Sequence, residues 1–536
     1  MKDRIKDIFD RSMAIASFSH TEQEKAIETF LHEEIGALAY FQEHPEYFGQ
    51  YAIPNDSYGR SVNWALVKRD TADTVILFHH HDTVDLEDYG SLKDFALDNA
   101  ALKKELRKLD LSDEVREDLN SEDWYFGRGS CDMKAALALQ LGVLEAYSQQ
   151  KEGKVNLLYL SVGDEETYSQ GMRAATGLLA RLKEQYRLNY VLAVDSEPFE
   201  SESAREKTLH IGTVGKLLPV FVTQGVLSHM KEPLKGMNAI SLLAKLVEKL
   251  DLHPALADKH YGQQAPLPSW SYMRDLKEGY DVSTVLHAAA ALSLLYLDKS
   301  PEDLIATIRG LVEEAMEEFY GRYCELAREF GEEVVLSQPR VLTYAELLDE
   351  CRQHSDFEPV LSGIQEEARQ EFLAGHSYQQ ITVDTVKRVL TWYNRKEALV
   401  ILAIAPPYYP SMSCRHLTDG KLNLEDLIAS YQTYLTERGQ TLQLEEFFMG
   451  ICDTSYCALD KPVSQYQDLL QSLALPEDLY QIDFEAIRQI QVPAINLGPW
   501  GKDLHKITER VYLPDMLETI PQFLLSLLER LDQICG

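Results

Sequence analysis

The chain of 536 residues is poor in positive charge. It has 52 lysine and arginine residues against 86 aspartate and glutamate residues, and its formal net charge is −34. Nucleic-acid binding needs a surplus of basic side chains, so this balance excludes a general nucleic-acid partner. It also argues against docking on anionic membranes. We interpret the negative charge mainly as a property that favours solubility.

The sequence also lacks paired cysteines and long apolar segments. Its seven cysteines form no Cys-x-x-Cys pair, which indicates a reduced chain and not a disulfide framework. No run of about twenty apolar residues is present, and the charged N-terminal segment has no secretory core. These absences predict a cytoplasmic protein without a membrane partner. A hydrophobic content of 45% over this length predicts a folded chain of two or more domains.

Helical and strand patterns alternate in the first part of the chain. A strong helix is predicted at 133–149, where apolar residues dominate. Four apolar segments are predicted as buried strands: 64–68, 74–80, 155–162 and 190–195. Apolar strands separated by helices are typical of an α/β sheet with much parallel pairing.

The pattern changes near residue 208 and becomes alternating α/β again near residue 398, where a buried strand is predicted over 398–404 before the turn-rich PPYYPS. Long helices are predicted between these points, one of them from Ser300, a good N-cap before Pro301. The simplest organisation is one α/β domain, residues 1–210 and 391–536, whose chain is interrupted by a second domain over 211–390.

The first of four polar segments follows the predicted strand 74–80. It contains His79, His80, His81 and Asp82. Strand alternation directs His80 and Asp82 to the same side. A histidine with a carboxylate set to hold its ring is common around protein-bound metals. A polar strand end is the alternative interpretation, and three successive histidines followed by an aspartate weaken it.

Two further segments carry carboxylates. Asp132 stands at a predicted helix start, where a simple N-cap role would explain it if it were considered alone. Asp164, Glu165 and Glu166 leave an apolar strand together. Three adjacent carboxylates repel one another unless a cation or protons compensate. A metal site therefore explains this crowding better than a surface acidic run.

The remaining candidates follow the strand 190–195 and a glycine-containing loop near the C-terminus. Asp195 and Glu197 share a face if the strand continues. His505 follows the loop, with Glu509 predicted one helical turn beyond it. All these segments offer nitrogen and oxygen ligands and no thiolates, which suits zinc, cobalt or manganese.

These segments together resemble the motifs of the M20 metallopeptidases, a family that includes aminoacylases, desuccinylases and dipeptidases. Five stretches match in the family's order: His80-His81-Asp82, Gly129 through Lys134, Asp164-Glu165-Glu166, Gly225 through Ile240, and GPWGKDLH with the later Glu509. The match extends from about residue 75 to about residue 510. GICDTSY, PPYYPS and the long middle region resemble the RocB branch of arginine-utilisation proteins.

The resemblance implies an α/β fold with a zinc-exopeptidase-like catalytic domain and an inserted α+β lid domain. Residues 1–210 and 391–536 would form the two parts of the catalytic domain. Residues 211–390 would form a lid of the dimerisation type with a helical extension. A homodimer through this lid is the expected oligomer.

The resemblance also implies a role for each matched residue. Two divalent metal ions, zinc first with cobalt or manganese as alternatives, would be held by His80, Asp132, Glu166, Asp195 and His505. Asp132 would bridge the two ions, and a cis peptide bond would follow it. Asp82 would orient His80, Glu165 would be the general base, and His229 would bind substrate. Glu197 is the alternative to the preferred Asp195.

The predicted activity is hydrolysis of an amide or peptide bond in a small peptide or N-acyl amino acid, with a link to arginine or amino-acid catabolism. One alternative is a metal-binding but catalytically idle substrate-binding or regulatory protein on the same fold. Another is a different di-metal hydrolase, such as a deacetylase or phosphoesterase. The filled ligand positions argue against the first alternative, and the Asp-Glu-Glu element and the lid motif favour the amide hydrolase.

Overall fold

The structure is a computed structural model that describes residues 1–417 and 422–534, the last three by backbone only. The chain divides into two compact units. Unit 1 comprises Met1–Thr213, Met412–Asp460 and Asp483–Gly536. Unit 2 comprises Val214–Ser411 and Lys461–Ile482.

The described residues contain sixteen α-helices. They are α1 Lys2–Met13, α2 Glu24–Gly36, α3 Ala39–Glu43, α4 Asn99–Leu106, α5 Asp113–Asn120, α6 Ala135–Ser148, α7 Gln170–Tyr186, α8 Ala239–Leu250, α9 Pro301–Glu329, α10 Tyr344–Arg352, α11 Phe357–Leu373, α12 Tyr378–Tyr393, α13 Leu424–Thr436, α14 Gln467–Ser472, α15 Phe484–Ile490 and α16 Ile520–Ile534. Among the described residues, no helix is long and apolar enough to cross a membrane.

The same residues contain twenty β-strands. They are β1 Phe48–Ala52, β2 Ser61–Val67, β3 Asp73–His80, β4 Trp124–Phe126, β5 Asn156–Val162, β6 Asn189–Asp195, β7 Glu206–His210, β8 Gly212–Thr213, β9 Gly215–Gln224, β10 Lys259–His260, β11 Gln263–Gln264, β12 Ser269–Asp275, β13 His287–Tyr296, β14 Arg340–Thr343, β15 Leu399–Tyr409, β16 Met412–Ser413, β17 Thr441–Glu445, β18 Ala494–Asn496, β19 Gly501–Lys502 and β20 Arg510–Tyr512.

Unit 1 is built on an eight-stranded sheet with the order β1-β2-β5-β3-β6-β18-β7-β17. The central pairs β5–β3, β3–β6 and β6–β18 are parallel, as the apolar strand patterns predicted. Strands β2, β3, β5 and β6 are almost wholly buried, as is usual for the central part of a sheet covered on both faces, although β2 pairs antiparallel with β5. This sheet brings the carboxyl ends of β3, β5 and β6 to one edge.

Helix α6 lies in the interior of unit 1. Its first ten residues are all buried, which follows from a sequence that is apolar on every face. It packs against α1, and Gly142 allows the close approach, since a Cβ there would lie 2.4 Å from Ile5 Cγ1. The helix begins three residues after Asp132 and so ties that residue to the core.

Unit 2 is built on a five-stranded sheet with the order β12-β13-β9-β15-β14. Helices α10 to α12 pack on it through a core that includes Leu347, Val386 and Ile401. Strand β15 continues through two prolines to Tyr409, although the turn-rich sequence predicted an end near residue 404. Because β15 pairs with β9 over most of its length, unit 2 extends to Ser411, beyond the predicted limit of 390. The domain ranges themselves remain a prediction.

Candidate metal centre and active site

Three strand ends position the candidate site in unit 1. In the parallel register His80 of β3 lies opposite Val162 of β5, and Phe78 lies opposite Asp195 of β6. The chain segments that leave these strands therefore emerge side by side at one edge of the sheet, where α/β proteins usually bind ligands.

His80 lies at the centre of a first group of buried donors. Its Nε2 atom is 3.1 Å from Asp132 Oδ1, 3.5 Å from Glu197 Oε1 and 3.9 Å from Glu165 Oε2. One ligand atom each from His80, Glu165 and Glu197 lies within 4.8 Å of the others. This spacing is compatible with a shared cation.

A second histidine faces the other side of Asp132. His505 Nε2 is 3.1 Å from Asp132 Oδ2 and 3.1 Å from Glu166 Oε2. The two oxygens of Asp132 thus face two different histidines, which is the arrangement that a bridging carboxylate needs. Glu166 Oε1 is buried without a hydrogen-bond partner in the described chain, so this oxygen is available as a ligand to a cation.

The structure brings Glu197 to His80 in the place predicted for Asp195. Asp195 Oδ1 accepts the backbone N–H of Ser196 at 2.9 Å, and Oδ2 accepts the Thr454 hydroxyl at 3.0 Å. Both oxygens are therefore engaged, and within the described ranges Asp195 belongs to neither donor group. We therefore favour Glu197 over Asp195 as the ligand.

Asp82 fixes the turn that carries the two glutamates. Its Oδ1 and Oδ2 accept the backbone N–H groups of Glu165 at 3.1 Å and Glu166 at 3.2 Å. His80 Nδ1 lies 3.0 Å from the backbone oxygen of Asp82 and 3.5 Å from its carboxylate. Both atoms can hold the His80 ring, and the carboxylate also positions the predicted base.

The carboxyl groups of this site have perturbed acidity. Burial raises the pKa of Glu165 well above its usual range, and although the charge of His80 opposes this, Glu197 adds to the rise. Burial likewise raises the pKa of Glu197 and of Glu166. These carboxylates need a proton or a cation to remain in the interior.

The pKa values of the two histidines are also raised, but by hydrogen bonds to their acidic partners and not by burial. Hydrogen bonds to Asp132 and Glu166 raise the pKa of His505 to about 11. Burial alone would lower the pKa of His80, but hydrogen bonds to Asp132 and Asp82 outweigh it and raise the pKa. Metal binding requires neutral imidazole and ionised carboxylate, so protons and divalent cations compete for this donor set.

The residues of the predicted lid motif, His229 and Asn238, lie in unit 2. His229 is an exposed loop residue of unit 2, and its Nδ1 accepts the N–H of Lys231 at 3.1 Å. Asn238 caps α8 through a bond from the Ile240 N–H, as expected of a helix cap. The Asp132–Met133 peptide bond is cis, as the family resemblance implied.

Glu509 does not lie on a helix after His505, because His505 adopts a left-handed conformation with φ 61° and the chain turns into β20. Its carboxylate accepts a hydrogen bond from Arg128 Nη1 at 2.7 Å. The helical prediction for this segment is therefore wrong.

Sequence reasoning missed Arg60, which is fully buried beside the Asp164 turn. It also left out Glu24, a second buried partner of Arg60. Neither residue carries a signal in the sequence, because a single arginine or glutamate in a polar segment predicts an exposed side chain.

The geometry agrees with the comparison of this chain with known families. The model of the Peptidase family M20/M25/M40 matches residues 80–530, a span that contains every predicted site residue. The chain belongs to this family and is an M20-type metallohydrolase.

Two curated proteins of Bacillus subtilis are similar along nearly the whole length. The uncharacterized protein YqjN is 30% identical, and the alignment covers 98% of this chain and 95% of YqjN. Protein RocB is 27% identical, with coverage of 97% of this chain and 93% of RocB. The chain therefore falls in the RocB-like branch. A succinyl-diaminopimelate desuccinylase of Cereibacter sphaeroides is 26% identical over 40% of this chain and 53% of its own length.

Solved structures share the fold at low sequence identity. A tripeptidase from Staphylococcus aureus superposes with a TM-score of 0.54 at 12% identity, with 99% of each chain covered. Aminopeptidase PepT from Bacillus cereus gives 0.53 at 12% identity with the same coverage. These matches confirm the predicted fold class, an α/β catalytic domain with an inserted lid.

Proposed function

We propose that this protein is a di-metal hydrolase that cleaves an amide bond in a small peptide or an N-acyl amino acid. The observation that carries the proposal is the position of Asp132, whose two oxygens face His80 and His505 at 3.1 Å each. A carboxylate with this geometry is suited to join two cations. Glu165, 3.9 Å from His80, supplies a base beside them.

The donors fit two divalent ions. His80, Asp132 and Glu197 would hold one, and Asp132, Glu166 and His505 would hold the other. All are oxygen or nitrogen donors of the kind that zinc accepts, and cobalt and manganese are alternatives. When bound, two such ions supply Lewis-acid activation of water and of the substrate carbonyl.

The proposed role of Glu165 is to take and return a proton. Its carboxylate is buried, 8% exposed, and burial raises its pKa, which makes it a stronger base than an exposed glutamate. The Asp82 carboxylate accepts the backbone N–H of Glu165 at 3.1 Å, and this hydrogen bond fixes the backbone from which the Glu165 side chain extends. A base of this kind accepts the proton of the attacking water and delivers it to the leaving amine.

The substrate class is inferred from the family and from the RocB-like resemblance. Small peptides and N-acyl amino acids are the proposed substrates, and a link to arginine catabolism rests on the resemblance to RocB alone. A cytoplasmic location stays a prediction.

His229 is proposed as a substrate-binding residue of unit 2. Apolar side chains stand exposed around it: Leu227, Met230 and Val282 are 52%, 53% and 51% exposed. Exposed apolar patches often mark interaction surfaces, and we propose on this ground that the expected homodimer through the lid forms on this face.

The test combines metal analysis with a substrate panel. The purified protein is dialysed against zinc, cobalt or manganese, its metal content is measured, and it is incubated with N-acyl amino acids and dipeptides, including arginine derivatives. We expect two ions per chain and cleavage of at least one substrate. Glu165→Gln should keep the metal and lower kcat by a factor of about 100 or more.

The same experiment separates the alternatives. Full metal content with no cleavage of any substrate would favour the catalytically idle binding protein. Cleavage of phosphate esters in place of amides would favour another hydrolase class. An unchanged kcat in Glu165→Gln would remove the residue from its proposed role.

A further inference from the structure

Arg60 is a completely buried arginine that stands directly before β2, and all five of its guanidinium N–H groups are used. Nη1 donates to Glu24 Oε1 at 2.6 Å and to Asp164 Oδ1 at 2.9 Å. Nε and Nη2 donate to Asp56 Oδ1 at 3.1 and 2.8 Å, and Nη2 also donates to Gln170 Oε1 at 2.8 Å. The arginine thus joins α2, the loop before β2 and the turn that leads into α7.

Asp164 is the residue around which the glutamate-bearing turn is wound. It has φ 67°, a left-handed conformation that is uncommon for a residue other than glycine. Its backbone oxygen accepts the N–H groups of residues 167–169 at 3.3, 3.0 and 2.6 Å. Its Oδ2 accepts the N–H of Gln170 at 3.2 Å, where α7 begins. The next two residues are Glu165 and Glu166.

Side chains on several sides hold this turn, and one of them is His20, whose Nδ1 lies 2.8 Å from Asp164 Oδ1. On the β3 side, the Asp82 carboxylate accepts hydrogen bonds from the backbone N–H groups of Glu165 and Glu166. On the β2 side, Arg60 donates a hydrogen bond to the Asp164 carboxylate. Catalytic and metal-binding geometries need to be held within about 0.5 Å, so loss of the Arg60 contact to Asp164 would shift the turn and displace both glutamates.

We propose that Arg60 is a positioning residue for Glu165 and Glu166 and acts on them through Asp164. This inference rests on the proposed function, since it assigns Arg60 to the proposed base and the proposed ligand. An arginine with only a structural role would stabilise unit 1 without altering metal affinity or turnover.

The chain offers a matched control at the other end of the same strand. Arg69 follows β2 and is half-buried, and its Nη2 donates to the backbone oxygens of Tyr147 at 2.7 Å and Gln150 at 2.8 Å. Arg69 contacts no proposed ligand. Arg69→Met therefore removes a half-buried arginine without touching the turn.

The experiment compares the wild-type chain with Arg60→Met, Arg60→Lys and Arg69→Met. Each is titrated with cobalt(II) and followed by visible absorption, which reports the coordination of the ion. Melting temperature, kcat and KM are measured beside it on the substrate that the panel identifies.

We expect Arg60→Met to weaken at least one cobalt site by about 10- to 100-fold, as residues that orient ligands usually do. Its kcat should fall by a similar factor while KM stays within about threefold. Arg60→Lys should recover part of both, because an ammonium can pair with Asp164 but cannot span all four partners. Arg69→Met should lower the melting temperature alone.

Wild-type cobalt affinity and kcat in a folded Arg60→Met would overturn the proposal. If that variant does not fold, wild-type values for Arg60→Lys overturn it equally. If the wild-type chain binds cobalt but cleaves no substrate, the cobalt affinities of the wild type and the Arg60 variants decide the role of Arg60. A wild-type chain that neither binds cobalt nor cleaves any substrate rejects the proposed function, and this inference with it.

Discussion

Among single residues, the choice between Asp195 and Glu197 depends on local geometry. Asp195 is the last residue of β6, and its two carboxylate oxygens accept hydrogen bonds from Ser196 and Thr454. Glu197 lies two residues further, where the close approach of Gly498 to its backbone fixes the chain: a Cβ on Gly498 would lie 2.2 Å from Glu197 O. The longer side chain can then reach His80.

This geometry yields a comparison of two conservative variants. Glu197→Gln should lower the affinity for one metal ion by a factor of about 10 to 100, because it loses a charged ligand. Asp195→Asn keeps both hydrogen-bonding partners within reach and should retain both ions. Isothermal titration with zinc checks the pair, and a result with the order of the two variants reversed would restore Asp195 as the ligand.

Glu28 of α2 provides a prediction for pH-dependent stability. Burial raises its pKa from 4.5 to about 7 in the folded chain. The folded state therefore binds the Glu28 proton more tightly than the unfolded state does. The resulting contribution to the free energy of unfolding is fully present below about pH 4.5 and is lost as the pH rises through 7. At about 1.4 kcal/mol per pKa unit, the loss is about 3 kcal/mol.

Urea unfolding at pH 4.5 and pH 8 measures this effect. The free energy of unfolding of Glu28→Gln should change less between the two pH values than that of the wild type, by about 3 kcal/mol. Glu33→Gln on the same helix is the control, because Glu33 is exposed. Equal pH dependence of the wild type and Glu28→Gln would contradict the assignment.

The sequence predicted His80, Asp132, Glu165, Glu166 and His505 as site residues because each follows a strongly patterned segment or belongs to a family motif. The structure brings these five together, although their roles remain proposals. Arg60 was beyond such reasoning for a physical reason. Its partners come from residues 24, 56, 164 and 170, and only the tertiary fold brings them to one guanidinium.

Among the elements, the central strands were predictable because a strand buried on both faces must be apolar throughout. The predicted 74–80 and 155–162 agree with β3 and β5 within a residue or two. Strand β15 was predicted too short, because prolines usually end a strand and sheet pairing outweighs that preference here. The fold is therefore more predictable at its core than at the boundary between the units.

Helix α8 allows a structural role to be separated from a catalytic one. Asn238 lies in the lid motif, and its side chain accepts the N–H of Ile240 at 3.1 Å. Asn238→Ala should cost about 1 kcal/mol in the free energy of unfolding, the usual value of an N-cap, and leave kcat unchanged. Ser300→Ala, which removes the N-cap of α9, should cost a similar amount.

Thermal unfolding of both variants and their kcat values test this interpretation. A kcat that falls in Asn238→Ala but not in Ser300→Ala would show that Asn238 takes part in the reaction as well as in capping.

For the whole molecule, the charge of the site links metal binding to stability. Asp132, Glu165, Glu166 and Glu197 converge in the interior of unit 1, and their mutual repulsion opposes folding unless protons or cations compensate. Removing metal with a chelator should lower the melting temperature, and adding zinc back should restore it. A free zinc concentration of about 100 times Kd corresponds to about 2.7 kcal/mol for one site.

Calorimetry of the chelated and the reconstituted protein measures this difference. Glu197→Gln should show a smaller response to zinc than the wild type. A melting temperature that does not depend on metal would indicate that the donors do not bind ions in the folded chain.

The division of unit 1 into three chain segments has a consequence for the newly made protein. His80 through Glu197 leave the ribosome early, whereas His505 follows about 300 residues later. At about 5 to 20 residues per second, the proposed donor set stays incomplete for roughly 15 to 60 s of synthesis. During that interval unit 2 is translated, and the waiting carboxylates lack the histidine that completes the second ion's site. Premature termination anywhere in that interval would therefore yield a chain with at most half a metal centre.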